Sequence, residues 1–327
     1  MILRNLRVTC LLVACLLVLP SIAFAQGKAR DRQPPERPTP TVADHVYGQD
    51  SERQKFDFWQ AKSERPTPLV LLIHGGGWRG GDKSGYGTRA IQPYLDAGIS
   101  VASLNYRFID QAMEQKVEPP VKACLHDAAR ALQTIRSKAK EWNLDPKRVG
   151  ATGSSAGACT SLWLALHDDL ADPSSSDPIA RESSRLSCAA VNGAQTSLDP
   201  KQLREWIPNA IYGGHAFGFA GAGRTRADEF ELLIANREKV LPWIAEYSPI
   251  ELVSKDDPAI YLDYPNQKQP PQIGQKEADP THSAMYGVQL AKVLEDAGVE
   301  VIVSYPGHED TKYGSIEKFL IERLTAK

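Results

Sequence analysis

The sequence lacks the features that would mark a nucleic-acid binder, a disulfide-built scaffold or a membrane-spanning protein. Lysine and arginine number 38 against 40 aspartates and glutamates in 327 residues. Neither sign gathers into a patch that would steer phosphate, which argues against a nucleic-acid partner. Of the five cysteines, only Cys124, Cys159 and Cys188 lie beyond residue 25. An odd, widely spaced set builds neither a disulfide framework nor a zinc site, although an oxidising compartment would permit one disulfide among the three. No apolar run reaches the roughly 20 residues of a membrane span, because the run over residues 8–19 is broken at Pro20. There is no internal repeat, and no glycine-rich segment ends in the Gly-Lys-Ser/Thr of a phosphate loop.

What is present begins with a processing signal. Arg4 and Arg7 precede the apolar run, and Ala23-Phe24-Ala25 supplies a small-x-small cleavage site. Residues 1–25 therefore read as a signal peptide, with the mature chain starting near Gln26 in a secreted or periplasmic location, not inserted in the membrane. Leu12-Val13-Ala14-Cys15 has the look of a lipoprotein box, but the apolar stretch continues past Cys15, so lipidation ranks second. Residues 26–41, rich in Pro, Arg, Gln and Glu, read as a flexible segment. Residues 42–327 suit one large α/β domain.

In that domain, 42–47 and 55–59 read as a hairpin around a polar Gly48-Gln49-Asp50-Ser51 turn. Short apolar runs follow at 69–73, 99–104, 148–152, 188–191, 259–264 and 299–304, alternating with helical spacing at 120–142, 156–166, 283–297 and 316–324. Alternation of this kind implies a parallel sheet with right-handed crossovers, and the hairpin brings the count to an eight-stranded, mostly parallel sheet flanked by helices. Residues 200–257 break the rhythm, mixing Trp206, Tyr212, Phe217, Phe219, Trp243 and Tyr247 with glycine pairs. They read as a small cap insertion over the carboxyl edge of the sheet, its aromatics available to substrate; the alternative is an excursion whose aromatics merely pack down.

Two motifs carry chemistry. Gly153-Ser154-Ser155-Ala156-Gly157 fits G-x-S-x-G between a strand and a helix, the setting of a nucleophile elbow with Ser155 at its tip. His74-Gly75-Gly76-Gly77-Trp78 stands at the end of the 69–73 strand, where glycines let backbone N–H groups approach a developing oxyanion. Gly76, Gly77 and Ala156 are the candidate donors, Trp78 and Ser154 the candidate substrate contacts, and His74 a brace for the loop.

With these motifs the chain resembles α/β-hydrolase-fold carboxylesterases and lipases, specifically bacterial esterases with His-Gly-Gly-Gly-Trp followed by Gly81-Asp82-Lys83. Asn105-Tyr106-Arg107, Asp127 and Asp145-Pro146-Lys147-Arg148-Val149 extend the likeness, which covers about residues 42–325. The resemblance implies a triad in the order Ser, acid, His. His308, in Tyr305-Pro306-Gly307-His308, occupies the family's histidine position, while His167, His215 and His282 fit it less well. Asp279, before Pro280, matches the family's acid. The loop ahead of it is longer than usual, so Asp263 and Glu277 stay open as alternatives. The implied activity is serine carboxylester hydrolysis through an acyl-enzyme, without metal or organic cofactor. Expected substrates are short-chain acyl or aryl esters or polysaccharide-linked acetyl or feruloyl groups. An amidase or formamidase with the same triad, or a non-catalytic binding module, are the alternatives.

Overall fold

The polar turn at 48–51 folds β1 (Val42–Val46) back on β2 (Lys55–Trp59) as an antiparallel hairpin. Gln54 holds that turn, its side-chain carbonyl accepting from the amides of Asp50 and Ser51 at 2.7 and 3.2 Å. The computed structural model describes residues 36–326; the expected signal peptide, and 26–35 of the expected flexible segment, lie outside them. Residues 36–41 are not free. The carbonyl of Glu36 accepts from Thr88 N–H, Arg37 pairs with buried Asp57 at 2.7 Å, and the carbonyl of Pro38 accepts from the Trp59 indole. The flexible reading is corrected there, because composition alone does not register such pinning by backbone carbonyls.

Six further strands follow: β3 (Thr67–Ile73), β4 (Ser100–Leu104), β5 (Leu144–Gly153), β6 (Cys188–Asn192), β7 (Ala259–Asp263) and β8 (Val301–Ser304). The sheet order is β1-β2-β4-β3-β5-β6-β7-β8, parallel from β4 to β8. This is the expected eight-stranded arrangement. Strand β3 is buried throughout; Leu69, Leu71 and Ile73 join one apolar cluster, Val70 and Leu72 the other. That is how a strand covered on both faces distributes its side chains.

Helices α1 (Thr88–Asp96) and α9 (Ile316–Thr325) cover one face through Ile91, Tyr94, Phe319, Leu320 and Leu324. The other face carries α2 (Ile109–Glu114), α3 (Pro120–Ser137), α4 (Ala156–Leu166) and α8 (Ala284–Asp296). Residues 200–257 are more regular than their composition suggests. They form α5 (Pro200–Trp206), α6 (Arg226–Ala235) and α7 (Arg237–Tyr247). Pro242 inside α7 and the glycines before α6 hide this pattern, although Thr225 and Asp228 cap α6 reciprocally. Trp206, Tyr212, Phe217 and Tyr247 are buried, so most of these aromatics pack into the core. Cys124, Cys159 and Cys188 are buried and unpaired. No helix among the described residues is long and apolar enough to cross a membrane.

The register aligns one edge of the sheet. Ile73 faces both Leu104 and Gly153, Ser154 bridges to Asn192, and Asn192 faces Asp263. The loops after β3, β5, β6 and β7 consequently leave the sheet side by side, the usual place for a ligand in a parallel sheet.

Candidate active site

At the end of β5 the chain reverses into α4 within two residues. Ser155 sits at φ 54°, ψ −123°, a conformation that costs a non-glycine residue about 1–3 kcal/mol. Its neighbours make the turn possible. A Cβ on Gly157 would overlap the Ile73 carbonyl oxygen and come within 2.7 Å of that of His74; one on Gly153 would stand 2.5 Å from the Ile73 oxygen. The amide of Ser155 donates to Asn192 at 3.0 Å, and every residue of α4 is buried, which together hold the strained serine in place. Its hydroxyl stands at the start of an 11-residue helix, where free N–H groups and the helix dipole favour negative charge.

The loop after β3 lies against this elbow. A Cβ on Gly75 would meet Ser154 O at 2.6 Å and Ser155 Cβ at 3.4 Å. Gly76 and Gly77 adopt φ of 101° and 62°, and Trp78 follows at 55°. Such a run is affordable only where glycines lead it. His74 braces it: the ring stacks on Tyr106 at 4.4 Å, and Nδ1 lies 2.9 Å from the Gly75 carbonyl. Burial lowers the His74 imidazole to about 4, so it is neutral at neutral pH. Trp78 does not reach substrate. It is fully buried, donating its indole N–H to Thr160 of α4 at 3.0 Å. Its size and its place inside the core make it a pin between loop and helix. Ser154, by contrast, is exposed beside Ser155. The Asp82, Asn105 and Arg107 matches are braces too: Asn105 links Asp82 and the Lys83 amide, and Arg107 makes a two-pronged pair with Asp127.

The histidine beside Ser155 is His282. Its Nε2 lies 3.0 Å from Ser155 Oγ, and its Nδ1 lies 2.8 Å from Asp279 Oδ2. Asp279 Oδ1 accepts the amides of Thr281 at 3.1 Å and His282 at 3.3 Å, so the carboxylate caps the turn that carries its own partner. Burial pushes the Asp279 carboxyl up, but the hydrogen bond and charge of His282, with those two amides, hold it below the usual carboxylate range. Gly193 leaves room under the ring, where a Cβ would come 3.4 Å from that of His282.

The expectation that His308 partners Ser155 is corrected. His308 lies on the exposed turn after β8, with its ring stacked on Tyr305 at 5.1 Å and its backbone paired with the same residue. Neither ring nitrogen bonds to Ser155 or Asp279. The place at Ser155 is filled from the loop after β7. A signal for this was available, since Asp279 and His282 stand three apart just before a serine-capped helix. Of the alternative acids, Glu277 is buried and accepts from Gln267 and Ser283, both at 3.1 Å, while Asn209 fixes its backbone. Glu277 thus ties down the loop that presents Asp279. Asp263 remains half-buried at the end of β7, its carboxyl raised by burial.

The family model described as BD-FAE matches residues 57–269. A probable isoprenylcysteine alpha-carbonyl methylesterase of Arabidopsis thaliana is 27% identical over 142 residues, covering 43% of this chain and 28% of its own. The carboxylesterase NlhH of Mycobacterium tuberculosis is 30% identical over 117 residues, 36% of this chain and 34% of its own. The chain thus spans about a third or less of the curated relatives it matches. Among solved structures, a truncated carbohydrate esterase from gut microbiota aligns with a TM-score of 0.63 at 19% identity, covering 90% of this chain and 100% of that one. The acetyl ester-xyloside bifunctional hydrolase of Caldicellulosiruptor lactoaceticus aligns at 0.55 and 22% identity, covering 77% and 76%. The fold is that of the α/β-hydrolase esterases.

Proposed function

The chain belongs to the BD-FAE family, and on that premise we propose that it is a serine carboxylester hydrolase working through an acyl-enzyme. The observation that carries this reading is the unbroken hydrogen-bonded line from Asp279 through His282 to Ser155. Asp279 fixes the imidazole tautomer with Nδ1–H, which leaves Nε2 free to take the serine proton. Ser155 attacks the ester carbonyl, and the amides of Gly76, Gly77 and Ala156 receive the oxyanion. A single donor in such a hole contributes about 3–4 kcal/mol to the transition state. His282 returns its proton to the departing alcohol, then activates the water that releases the acid.

The signal peptide of residues 1–25 directs the chain to a secreted or periplasmic location in this reading. Its substrates are short-chain acyl or aryl esters, including acetyl or feruloyl groups on polysaccharides. A chain-length series of 4-nitrophenyl esters tests the reaction class, with Ser155→Ala as control. Turnover is expected to be highest on short acyl groups and to fall by several orders of magnitude in Ser155→Ala. A variant as active as the parent would remove Ser155 from the mechanism.

A further inference from the structure

One cation beside the glycine loop has no counter-charge. Arg226, the first residue of α6, is exposed, and its Nη2 stands 3.5 Å from where a Cβ on Gly77 would be. Among the described residues it forms no ion pair. Of the acids nearby in sequence or on Arg79, Asp228 caps α6 through Thr225, Glu229 Oε1 and Asp110 take Arg79 at 3.1 and 3.5 Å, and Glu229 Oε2 is buried without a hydrogen-bond partner. The floor below is polar and unsatisfied. Tyr212 OH and His215 Nε2 are buried without hydrogen-bond partners. His215 is 3% exposed, and its Nε2 lies 3.8 Å from the same Cβ position on Gly77. Trp78 closes the group, with ring centres 6.0 Å from Tyr212 and 5.8 Å from His215, and the Arg226 guanidinium stands 5.9 Å from the Tyr212 ring centre. Burial, with the charges of Arg226 and Arg79, lowers the His215 imidazole to about 3, so it stays neutral and adds no charge of its own.

A guanidinium, unlike an ammonium, offers a planar fork matched to a carboxylate. Leaving it unpaired beside the candidate oxyanion loop gives a neutral ester nothing that backbone amides do not already supply. We propose that Arg226, over the His215–Tyr212 floor, selects esters that carry a free carboxylate close to the scissile bond, such as hemiesters of dicarboxylic acids or acetyl esters of acidic alcohols. This rests on the serine-esterase reading above and names the substrate class of that site.

The test compares charged and neutral esters of matched shape. On the acyl side these are mono(4-nitrophenyl) succinate and 4-nitrophenyl butyrate; on the alcohol side, 3-acetoxybenzoate and 3-acetoxybenzamide. In at least one pair, the parent enzyme is expected to favour the anion about tenfold in kcat/KM, the scale of one charge-assisted hydrogen bond. The ratio is expected to fall to about one in Arg226→Gln, to survive in part in Arg226→Lys, and to shrink in high salt. Reading the ratio within each variant cancels any general loss of activity. Calorimetric binding of monoethyl succinate and of ethyl butyrate to Ser155→Ala reads the same site without turnover. Hydrolysis with equal ratios in parent and Arg226→Gln, in both pairs, overturns the carboxylate site and leaves the esterase intact. Charge-selective binding without hydrolysis of any ester overturns the esterase and leaves the site. Neither binding nor hydrolysis overturns both.

Discussion

Two stretches build the candidate site by different physics. Between 69 and 166 the backbone itself is the constraint: the elbow leaves no volume for a side chain at Gly75, β3 and α4 leave none at Gly153 and Gly157, and Ser155 is held in a strained turn between them. Between 259 and 310 the constraint is a side-chain network, in which Glu277, Gln267, Ser283 and Asn209 fix a loop so that Asp279 and His282 reach Ser155. Steric demands on backbone leave an imprint as glycine motifs, whereas a hydrogen-bonded loop can be assembled from many residue sets. The family match ends at residue 269 and so covers the first stretch without reaching Asp279 or His282.

The sharpest way to break this contrast is to exchange the two histidines. His282→Ala should lower kcat on 4-nitrophenyl acetate by about 10⁴–10⁶-fold, while His308→Ala should stay within about twofold. The opposite ranking would return the base to the turn after β8. Next in size, Asp279→Asn should cost about 10³–10⁴-fold in kcat, because the wrong tautomer then faces Ser155; Asp263→Asn should leave the rate near that of the parent. A large loss in the second variant and none in the first would shift the acid to β7.

Stability comes third. Gly157→Ala should lose about 3 kcal/mol or more in urea unfolding, as its methyl group meets the carbonyls of Ile73 and His74. Gly307→Ala, at φ 85° with open space around it, should lose only about 1 kcal/mol. Similar losses at the two sites would mean that the elbow is looser than its packing implies. The smallest effect concerns acid. The folded chain withholds a proton from His74 down to about pH 4, while the unfolded chain takes it up near 6.5. Stability should therefore fall as pH drops through that window. The urea midpoint should be lower at pH 5 than at pH 7, with a shallower slope in His74→Phe.

Much of this architecture could be read in the residues. The apolar runs and the hairpin predicted all eight strands in their places, and the two glycine motifs located Ser155 and the loop after β3. Asp-Pro ahead of a helix also pointed to Asp279, which the structure places 2.8 Å from His282. Order along the chain favours His308, which follows the last strand, whereas the return of a long Gln- and Pro-rich loop to Ser155 is not visible in a sequence. Trp78 misled for a related reason: an aromatic at a motif's edge reads equally as substrate platform or as core, and only packing decides. The helices of 200–257 escaped because each buries only a short apolar stripe, such as Val240, Ile244 and Tyr247 in α7, and Pro242 and the neighbouring glycines obscure it.

Acid and base on a single helical-type turn behave as one cassette. Asp279 and His282 keep their mutual alignment however the turn moves, since the carboxylate grips both the ring and the amide of its partner. What varies is the gap to Ser155, and the pair crosses it together. A shift of the loop would thus lengthen the His282–Ser155 gap while leaving the Asp279–His282 pair intact.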